Sequence, residues 1–402
     1  MLFVIISACR KGLFANSQDK YMLSSILTNG KLDTFYKGRV ALYALLHEMG
    51  VGEGDQVLMP AYTCVVVPNA VLYLGAEPLY TDIELSSFSV TPASVENALT
   101  ERTKVVLCQN TYGLSAHVDE IVDLCRKRGI RTIEDCTHGF GGTYKGKPNG
   151  SWCDAAFYSS QWNKPFSTGL GGYALVNDPE LEPRVAAFAD NLPQPSAKTQ
   201  AMLWILMRVR KLISPATYYS FVQAYRYLSK KNLVTGSSSG EELESIEMPK
   251  DYLLGMSDVQ KRAAVKALTK LPRMNALRKA NGALYTSHLA QAGLNHVDPS
   301  LHENHLFLKY PLLVHDRSAF MRKAREANIP LGDWFRSPLH PVEGDLNQWK
   351  FDPEHYPNAV FAASHVVNLP TDTRKPEKVL DFIDKNSSLI MDATLGGRIT
   401  NP

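Results

Sequence analysis

The sequence lacks several features that would assign it to a specialised class of protein. Only six of its 402 residues are cysteine, and no two have C-x-x-C spacing, so neither a zinc knuckle nor a disulfide framework is indicated. No run approaches the ~18 apolar residues of a membrane span. Lys and Arg number 43 against 40 Asp and Glu, and a formal charge of +3 is too small for a chain that lives on nucleic acid. No G-x-G-x-x-G follows the first predicted strand, which disfavours a dinucleotide-binding oxidoreductase.

The cysteine pattern also bears on the compartment. Dispersed cysteines suit a reducing environment, so we expect a cytoplasmic protein. Residues 1–9 are apolar, but no basic residue precedes this run and it is shorter than a usual signal core. We therefore interpret it as a buried first strand or loop.

Short apolar runs alternate with segments of helical period between residues 38 and 178, the pattern of repeated β-α-β units. The composition, 45% hydrophobic and 21% charged, is ordinary for a globular protein of two or three domains. Strands are predicted at 56–59, 77–81, 104–109, 131–134, 154–159 and 172–176, and helices at 63–74, 92–99 and 119–128. The predicted fold class is α/β, with a three-layer αβα large domain and a mostly parallel sheet.

The chain changes character between residues 198 and 240, which hold seven basic residues and no acidic one, leaving 36 basic and 40 acidic residues elsewhere. Pro215 is predicted to split this segment into two helices, and G-S-S-S-G at 236–240 to form a flexible linker. We expect the segment to pack its apolar side on a partner subunit and to keep a solvated basic face. The alternative is a peripheral contact with a membrane surface.

The domain prediction places a large domain at 1–245, including the basic segment, and a smaller α+β domain at 246–402. In the smaller domain we predict a helix at 256–290, a strand at 306–314, and helices at 318–327 and 375–384.

Two predicted element ends carry groups that suit a ligand site. Residues 37–42 read K-G-R-V-A-L and lead into a helix, so a glycine turn at Gly38 would leave backbone N–H groups open to an anion such as phosphate. Asp135 ends the apolar strand 131–134, at the edge where open α/β sheets bind ligands. By itself, Asp135 fits the cap of the next segment equally well.

One lysine, Lys164, lies among hydroxyls and amides in F-Y-S-S-Q-W-N-K-P-F-S-T-G at 157–169. Loop lysines are ordinarily solvated. Lys164, however, is flanked by Trp162 and Phe166, and an amine kept from water has a lowered pKa that suits Schiff-base chemistry. Thr63, at another strand end, is placed either to cap the following helix or to contact a ligand.

Together these stretches resemble the DegT/DnrJ/EryC1/StrS family of sugar aminotransferases, which depend on pyridoxal 5'-phosphate (PLP). The matching motifs are P-A-Y-T at 60–63, G-A-E-P-L-Y-T-D at 75–82, I-E-D at 133–135, Y-K-G-K-P-N-G at 144–150, Lys164 with G-G at 171–172, M-S-D-V-Q at 256–260, Y-P-L-L-V at 310–314 and P-L-H at 338–340. The resemblance covers nearly the whole chain. It implies the fold-type I architecture of aspartate aminotransferase and a homodimer with active sites at the subunit interface.

The resemblance also implies roles for individual residues. Lys164 would form a Schiff base with PLP, and Asp135 would pair with the protonated pyridine nitrogen. The other cofactor-binding residues that it implies are Gly38, Arg39, Val40, Tyr62, Thr63, Cys64, His138 and Ser159. His340 and Trp162 would face the substrate, and no metal is implied. The implied reaction is a ping-pong transamination, in which an amino acid such as glutamate donates the amino group to a nucleotide-linked keto-sugar, for amino-sugar or surface-polysaccharide biosynthesis.

Three departures from the family pattern leave other interpretations open. Cys64 replaces an aromatic residue, Leu170 replaces the Glu of G-E-G-G, and L-L-G at 253–255 replaces N-Y-R. One alternative is a catalytically degenerate protein that binds PLP or a nucleotide for regulation. The other is a sugar dehydratase that uses pyridoxamine phosphate (PMP), which Lys164 disfavours because those relatives have histidine at that position.

Overall fold

A computed structural model describes residues 32–214, 217–230 and 240–393, so the predictions for residues 1–9 lie outside the described residues. In chain order the strands are β1 (Leu32–Phe35), β2 (Gln56–Pro60), β3 (Thr63–Cys64), β4 (Glu77–Thr81), β5 (Thr103–Gln109), β6 (Arg131–Asp135), β7 (Thr143–Tyr144), β8 (Lys147–Pro148), β9 (Ala155–Ser159), β10 (Gly172–Val176), β11 (Tyr310–Leu313), β12 (Leu339–His340) and β13 (Val366–Leu369).

A seven-stranded sheet in the order β1-β10-β9-β6-β5-β2-β4 forms the centre of the fold. From β4 to β9 the neighbouring strands run parallel, whereas β10 and β1 join as an antiparallel edge. The six strands predicted from the sequence are confirmed to within one residue at each end. Strand β1 was not predicted, because its four residues precede the alternating pattern and three of them are only half-buried. The α/β class with a mostly parallel sheet is confirmed.

Helices cover the sheet and fill the C-terminal part of the chain. Within the described residues they are α1 (Gly38–Glu48), α2 (Val66–Leu72), α3 (Pro92–Ala98), α4 (Val118–Lys127), α5 (Glu182–Asp190), α6 (Ala197–Val209), α7 (Tyr218–Lys230), α8 (Gly240–Glu244), α9 (Asp258–Leu268), α10 (Leu271–Gln291), α11 (Arg317–Glu326), α12 (Pro357–His365) and α13 (Pro376–Lys385). None of them is long and apolar enough to cross a membrane.

Two helix predictions were wrong in their extent. The helix predicted at 63–74 begins only at Val66, because the backbone of Thr63 and Cys64 forms β3 and pairs with β12 from the C-terminal part. The helix predicted at 256–290 is two helices, α9 and α10. Pro272 lies in the first turn of α10, where its missing N–H breaks no intrahelical bond.

A second hydrophobic core, separate from the core around the large sheet, lies in the C-terminal part. It joins the antiparallel pair β11–β13 to α10, α11 and α13 through buried side chains such as Tyr310, Phe320 and Phe382. The strand predicted at 306–314 is shorter than expected, at Tyr310–Leu313. This is the α+β arrangement that the sequence predicted, while the boundary between 245 and 246 stays a prediction.

The basic segment contains two helices, α6 and α7, on either side of Pro215, which itself lies outside the described residues. The linker predicted at 236–240 also falls outside them, except for Gly240 at the start of α8. Lys198, Arg208 and Lys211 are exposed, and so are the large apolar side chains of Trp204 and Leu212.

Candidate active site

A cavity lies where the carboxyl ends of β5, β6 and β9 meet the N-terminus of α1. It encloses about 630 Å³ of space between atoms, including the part open to solvent. Eight of the residues predicted to bind the cofactor line it, namely Gly38, Arg39, Thr63, Cys64, Asp135, His138, Ser159 and Lys164. Residues more than 100 positions apart in sequence therefore meet at one edge of the sheet, as parallel β-α-β topology requires.

Lys164 follows β9 in a loop and extends its amine into the cavity. The Nζ atom donates a hydrogen bond to Thr137 Oγ1 at 3.3 Å and lies 4.9 Å from the ring centre of Trp334. Burial lowers the pKa of Lys164 from 10.5 to about 8, although the nearby Asp135 carboxylate opposes this change. The amine is therefore partly uncharged near neutral pH, as a nucleophilic lysine must be.

Asp135 is the last residue of β6 and is almost fully buried. Its Oδ1 accepts a hydrogen bond from the Thr137 amide at 2.9 Å. Burial raises the pKa of Asp135, whereas the positive charge of Lys164 and the bond from Thr137 lower it. A carboxylate placed in this way is best stabilised by a cationic partner inside the cavity.

His138 lies between Tyr112 and Trp334 in a stack of rings. Its ring lies 4.7 Å from the Trp334 ring and is tilted from it by only 6°. The Tyr112 amide donates to His138 Nδ1 at 3.1 Å, so Nε2 carries the proton of the neutral ring. Burial lowers the pKa of His138 well below its usual value, and His138 is therefore uncharged at neutral pH.

Tyr112 has a left-handed backbone, with φ of 56°, which is uncommon for a non-glycine residue. Its hydroxyl donates to the Trp334 carbonyl at 2.9 Å and shares a hydrogen bond with the Tyr62 hydroxyl at 2.7 Å. Tyr112 thus fixes both His138 and the loop that carries Trp334.

The N-terminus of α1 lines the cavity beside the end of β9. Lys37, the N-cap residue, gives it no side-chain cap. A Cβ atom on Gly38 would lie 3.0 Å from the Cβ of Ser159, so the close approach of helix and strand favours glycine at this position. Arg39 forms an ion pair with the buried Glu242 of α8, and Lys37 Nζ lies 3.5 Å from the same carboxylate. Burial alone would lower the pKa of Arg39, but Glu242 raises it.

Thr63 and Cys64 form the wall beside β12. The Thr63 hydroxyl donates to Gln109 Oε1 at 2.6 Å, and Gln109 in turn donates to the Tyr62 carbonyl at 3.0 Å. Thr63 therefore does not cap α2, which begins only at Val66. The prediction that Thr63 caps this helix is therefore wrong, while its contact with a ligand stays a prediction.

Four of the predicted site residues do not line the cavity. The Val40 amide donates to the Lys37 carbonyl at 3.1 Å, and Tyr62 is fully buried with its hydroxyl bound to Tyr112. Trp162 points to α7, where its Nε1 donates to the Tyr225 hydroxyl at 2.9 Å. His340, in β12, uses Nδ1 to accept from the Arg336 amide at 3.3 Å.

Sequence reasoning missed several residues that do line the cavity, among them Gln109, Thr137 and Phe335. Thr137 lies two positions after Asp135, so its place could have been found from the strand end. Phe335 and the neighbouring Trp334 have no such signal, because they lie in the C-terminal part and reach the site only through tertiary packing.

The family model of the DegT/DnrJ/EryC1/StrS aminotransferase family matches residues 33–201 and 237–394. The chain belongs to this family. Among curated relatives, GDP-perosamine synthase of Escherichia coli O157:H7 is 36% identical over 155 residues, which are 39% of this chain and 43% of that protein. This aminotransferase-family chain thus aligns with less than half the length of that relative.

A longer alignment joins it to UDP-N-acetyl-3-dehydro-alpha-D-glucosamine 3-aminotransferase of Acidithiobacillus ferrooxidans, at 26% identity over 83% of this chain and 77% of that protein. The fold is shared with the aminotransferase TlmJ from Streptoalloteichus hindustanus, with a TM-score of 0.67 and 20% identity over 96% and 95% of the two chains. A sugar aminotransferase described as putative, Spr1654 from Streptococcus pneumoniae in its PLP form, gives a TM-score of 0.67 and 21% identity over 98% and 94%.

Proposed function

We propose that the protein is a PLP-dependent aminotransferase that moves an amino group from an amino acid, glutamate in the first instance, to a nucleotide-linked keto-sugar. The observation that carries this proposal is the convergence of Lys164, Asp135 and the open N-terminus of α1 in one cavity. The names of the two curated relatives described above support a sugar acceptor.

The residues of the cavity fit PLP at three points. A buried carboxylate, Asp135, is available for a protonated pyridine nitrogen, and the partly uncharged amine of Lys164 is available for an aldehyde. The α1 N-terminus, with Gly38 closely apposed to Ser159, offers backbone N–H groups and a hydroxyl to a phosphate. Bound there, PLP supplies a ring that takes up the negative charge left when a proton leaves the substrate Cα.

The protein's own groups then perform three tasks. Asp135 holds a positive charge on the ring nitrogen, because burial makes an unpaired carboxylate costly. The Lys164 amine, held by Thr137, takes and returns the proton at the reacting carbon as general acid and base. His138 stays neutral and presents its Nε2–H as a hydrogen-bond donor. The apolar side chains of Val67, Leu170 and Phe335 keep water from the reacting atoms.

Incubation of the purified protein with PLP and glutamate tests the proposal. We expect the absorption spectrum to shift from the pyridoxal form to the pyridoxamine form, with release of 2-oxoglutarate. A regulatory binder would bind PLP without this shift, and a dehydratase would release water from a sugar nucleotide without consuming an amino donor. The pyridoxamine form can then be screened against keto-sugar nucleotides, with return of the pyridoxal spectrum as the signal for the acceptor.

Two substitutions assign the roles. Lys164→Ala should abolish the visible absorption band that PLP acquires on the wild-type protein, and persistence of that band would contradict the assignment. Asp135→Asn should lower turnover by at least ~100-fold while the fold is retained. Asp123→Asn is a matched control, because Asp123 is an exposed residue of α4 that pairs only with Arg126 among its described neighbours. Unchanged turnover in Asp135→Asn would contradict the role of that residue.

Assembly and location are part of the same proposal. A cytoplasmic homodimer is what the cysteine pattern and the family resemblance indicate. Large apolar side chains on and just after α6 support a dimer, because a partner subunit would cover them. Trp204 is 47% exposed, Ile205 48% exposed and Leu212 81% exposed. Sedimentation of the purified protein tests the dimer, and flotation with anionic liposomes tests the membrane alternative.

A further inference from the structure

The family model leaves residues 202–236 unmatched, and we call the described residues of this segment, 202–214 and 217–230, the insertion. It comprises most of α6, the whole of α7 and the turn after α6. One face of α6 is exposed, but the opposite face contacts the loop that carries Lys164.

Arg210 of the insertion holds the two residues that precede Lys164. One terminal nitrogen of its guanidinium donates to the Trp162 carbonyl at 2.8 Å and to Asn163 Oδ1 at 2.8 Å. The guanidinium also lies over the Trp162 ring, 5.3 Å from its centre. A planar cation that donates and stacks in this way restrains both the backbone and the side chains of the loop.

The insertion contacts the same loop at two further points. The Tyr225 hydroxyl accepts a hydrogen bond from Trp162 Nε1 at 2.9 Å. The fully buried Leu203 packs on Gly169, where an added Cβ would lie 2.6 Å from Leu203 Cδ1. The loop is therefore held near its start and at its end.

A second set of contacts reaches the C-terminal part of the chain. The Tyr219 hydroxyl donates to the Ile329 carbonyl at 2.5 Å and accepts from the Leu331 amide at 3.3 Å. Three residues further on is Trp334, whose ring lies 4.9 Å from Lys164 Nζ. The insertion thus contacts both loops that surround the Lys164 amine.

We propose, on the basis of the proposed function, that the insertion is a positioning element for Lys164 and that Arg210 is its principal residue. Arg210 does not line the cavity and acts through Trp162 and Asn163. Proton transfer by Lys164 depends on where its amine lies. Arg210 therefore affects proton transfer more than it affects the binding of the amino donor.

Four variants test this proposal. Arg210→Ala removes all contacts of the guanidinium, Arg210→Lys keeps the charge, and Tyr225→Phe removes the acceptor of the Trp162 bond while it keeps the ring. Arg208→Ala is the matched control, because Arg208 carries the same charge two positions earlier, in the last turn of α6. It is exposed and stacks on Trp204, 4.3 Å from its ring centre.

Amide hydrogen exchange of the cofactor-free protein gives a measurement that needs no activity. We expect Arg210→Ala to raise exchange at residues 161–164 by at least ~10-fold, because opening of the loop becomes easier, and Tyr225→Phe to raise it less. In the PLP-loaded enzyme, Arg210→Ala should lower kcat at least ~10-fold with KM for the donor changed less than about threefold, and Arg210→Lys should recover part of kcat.

Arg210→Ala that behaves like Arg208→Ala in both measurements overturns the proposal. A rise in KM with kcat unchanged also overturns it. So does a fall in kcat that is equally large in Arg210→Lys. If Arg210→Ala does not fold, Tyr225→Phe and Arg210→Lys decide by the same measurements. If the wild-type protein shows no transamination, the proposed function fails, while the exchange comparison still tests whether the insertion holds the loop.

Discussion

The pKa of the Lys164 amine gives a direct test of the site in the cofactor-free protein. Burial lowers this pKa from 10.5 to about 8. A shift of that size multiplies the uncharged fraction near neutrality by roughly 300. At pH 7.5, about a quarter of the Lys164 amines would be uncharged and reactive, against about one in a thousand for an unperturbed lysine.

Pulse labelling with an amine-reactive reagent at increasing pH measures the effect. Mass spectrometry of the peptide that contains Lys164 gives the labelling rate at this one residue. We expect the rate to reach half its maximum near pH 8 in the native protein and near 10.5 after unfolding in urea. A native midpoint close to that of the unfolded chain would refute the reasoning, because it would mean that the amine is solvated.

The variant Asp135→Asn separates burial from charge. The Asp135 carboxylate raises the pKa of Lys164, so its removal should move the labelling midpoint to lower pH. Asparagine has nearly the same size and leaves the burial of Lys164 unchanged. The exposed Asp123→Asn should leave the midpoint where it is. An upward shift in Asp135→Asn would show that the two groups do not interact as the structure indicates.

Three further predictions concern stability and are checked by chemical denaturation. Gly172→Ala should cost at least ~2 kcal/mol of unfolding free energy, because the new Cβ would lie 2.2 Å from the Lys37 carbonyl oxygen. In Gly52→Ala the new Cβ would lie 4.0 Å from the Leu74 carbonyl oxygen, and a cost for Gly172→Ala no larger than for this control would contradict the prediction. Ser257→Ala should cost about 1 kcal/mol, because it removes the capping box of α9, and an unchanged denaturation midpoint would contradict it. Tyr62→Phe should cost about 1 kcal/mol, since its buried hydroxyl bonds to the Tyr112 hydroxyl, and a stabilised variant would show that this bond contributes nothing.

The sequence predicted those parts of the fold whose signal is local. The parallel strands are short, largely buried segments separated by segments of helical period, and this alternation located them to within one residue. Strand β3 was missed, because Thr63 and Cys64 precede a helix and take strand geometry only by pairing with β12. Pro272 marked the break between α9 and α10, but the apolar pattern continues across it.

The site was predictable where strand ends supply its residues. Asp135 is the last residue of β6, Lys164 lies in the loop that follows β9, and parallel topology brings these strand ends together. Trp162 was predicted to face the substrate, but its ring contacts α7 instead. Its partner Tyr225 lies 63 residues further along the chain, and no local pattern indicates that contact. The insertion that holds Trp162 has no match in the family model, so the resemblance gave no guide to it either.

The short ladder between β3 and β12 has a consequence for how the chain can be divided. The Thr63 amide donates to the Pro338 carbonyl at 2.9 Å, and the Val65 amide donates to the His340 carbonyl at 2.9 Å. A fragment truncated before Phe335 would leave these two amides without their partners and would lack Phe335 from the cavity. The candidate site is therefore shared between distant parts of the chain. Neither fragment alone carries the complete cavity lining, and mixing the two fragments would restore it only if this ladder re-forms.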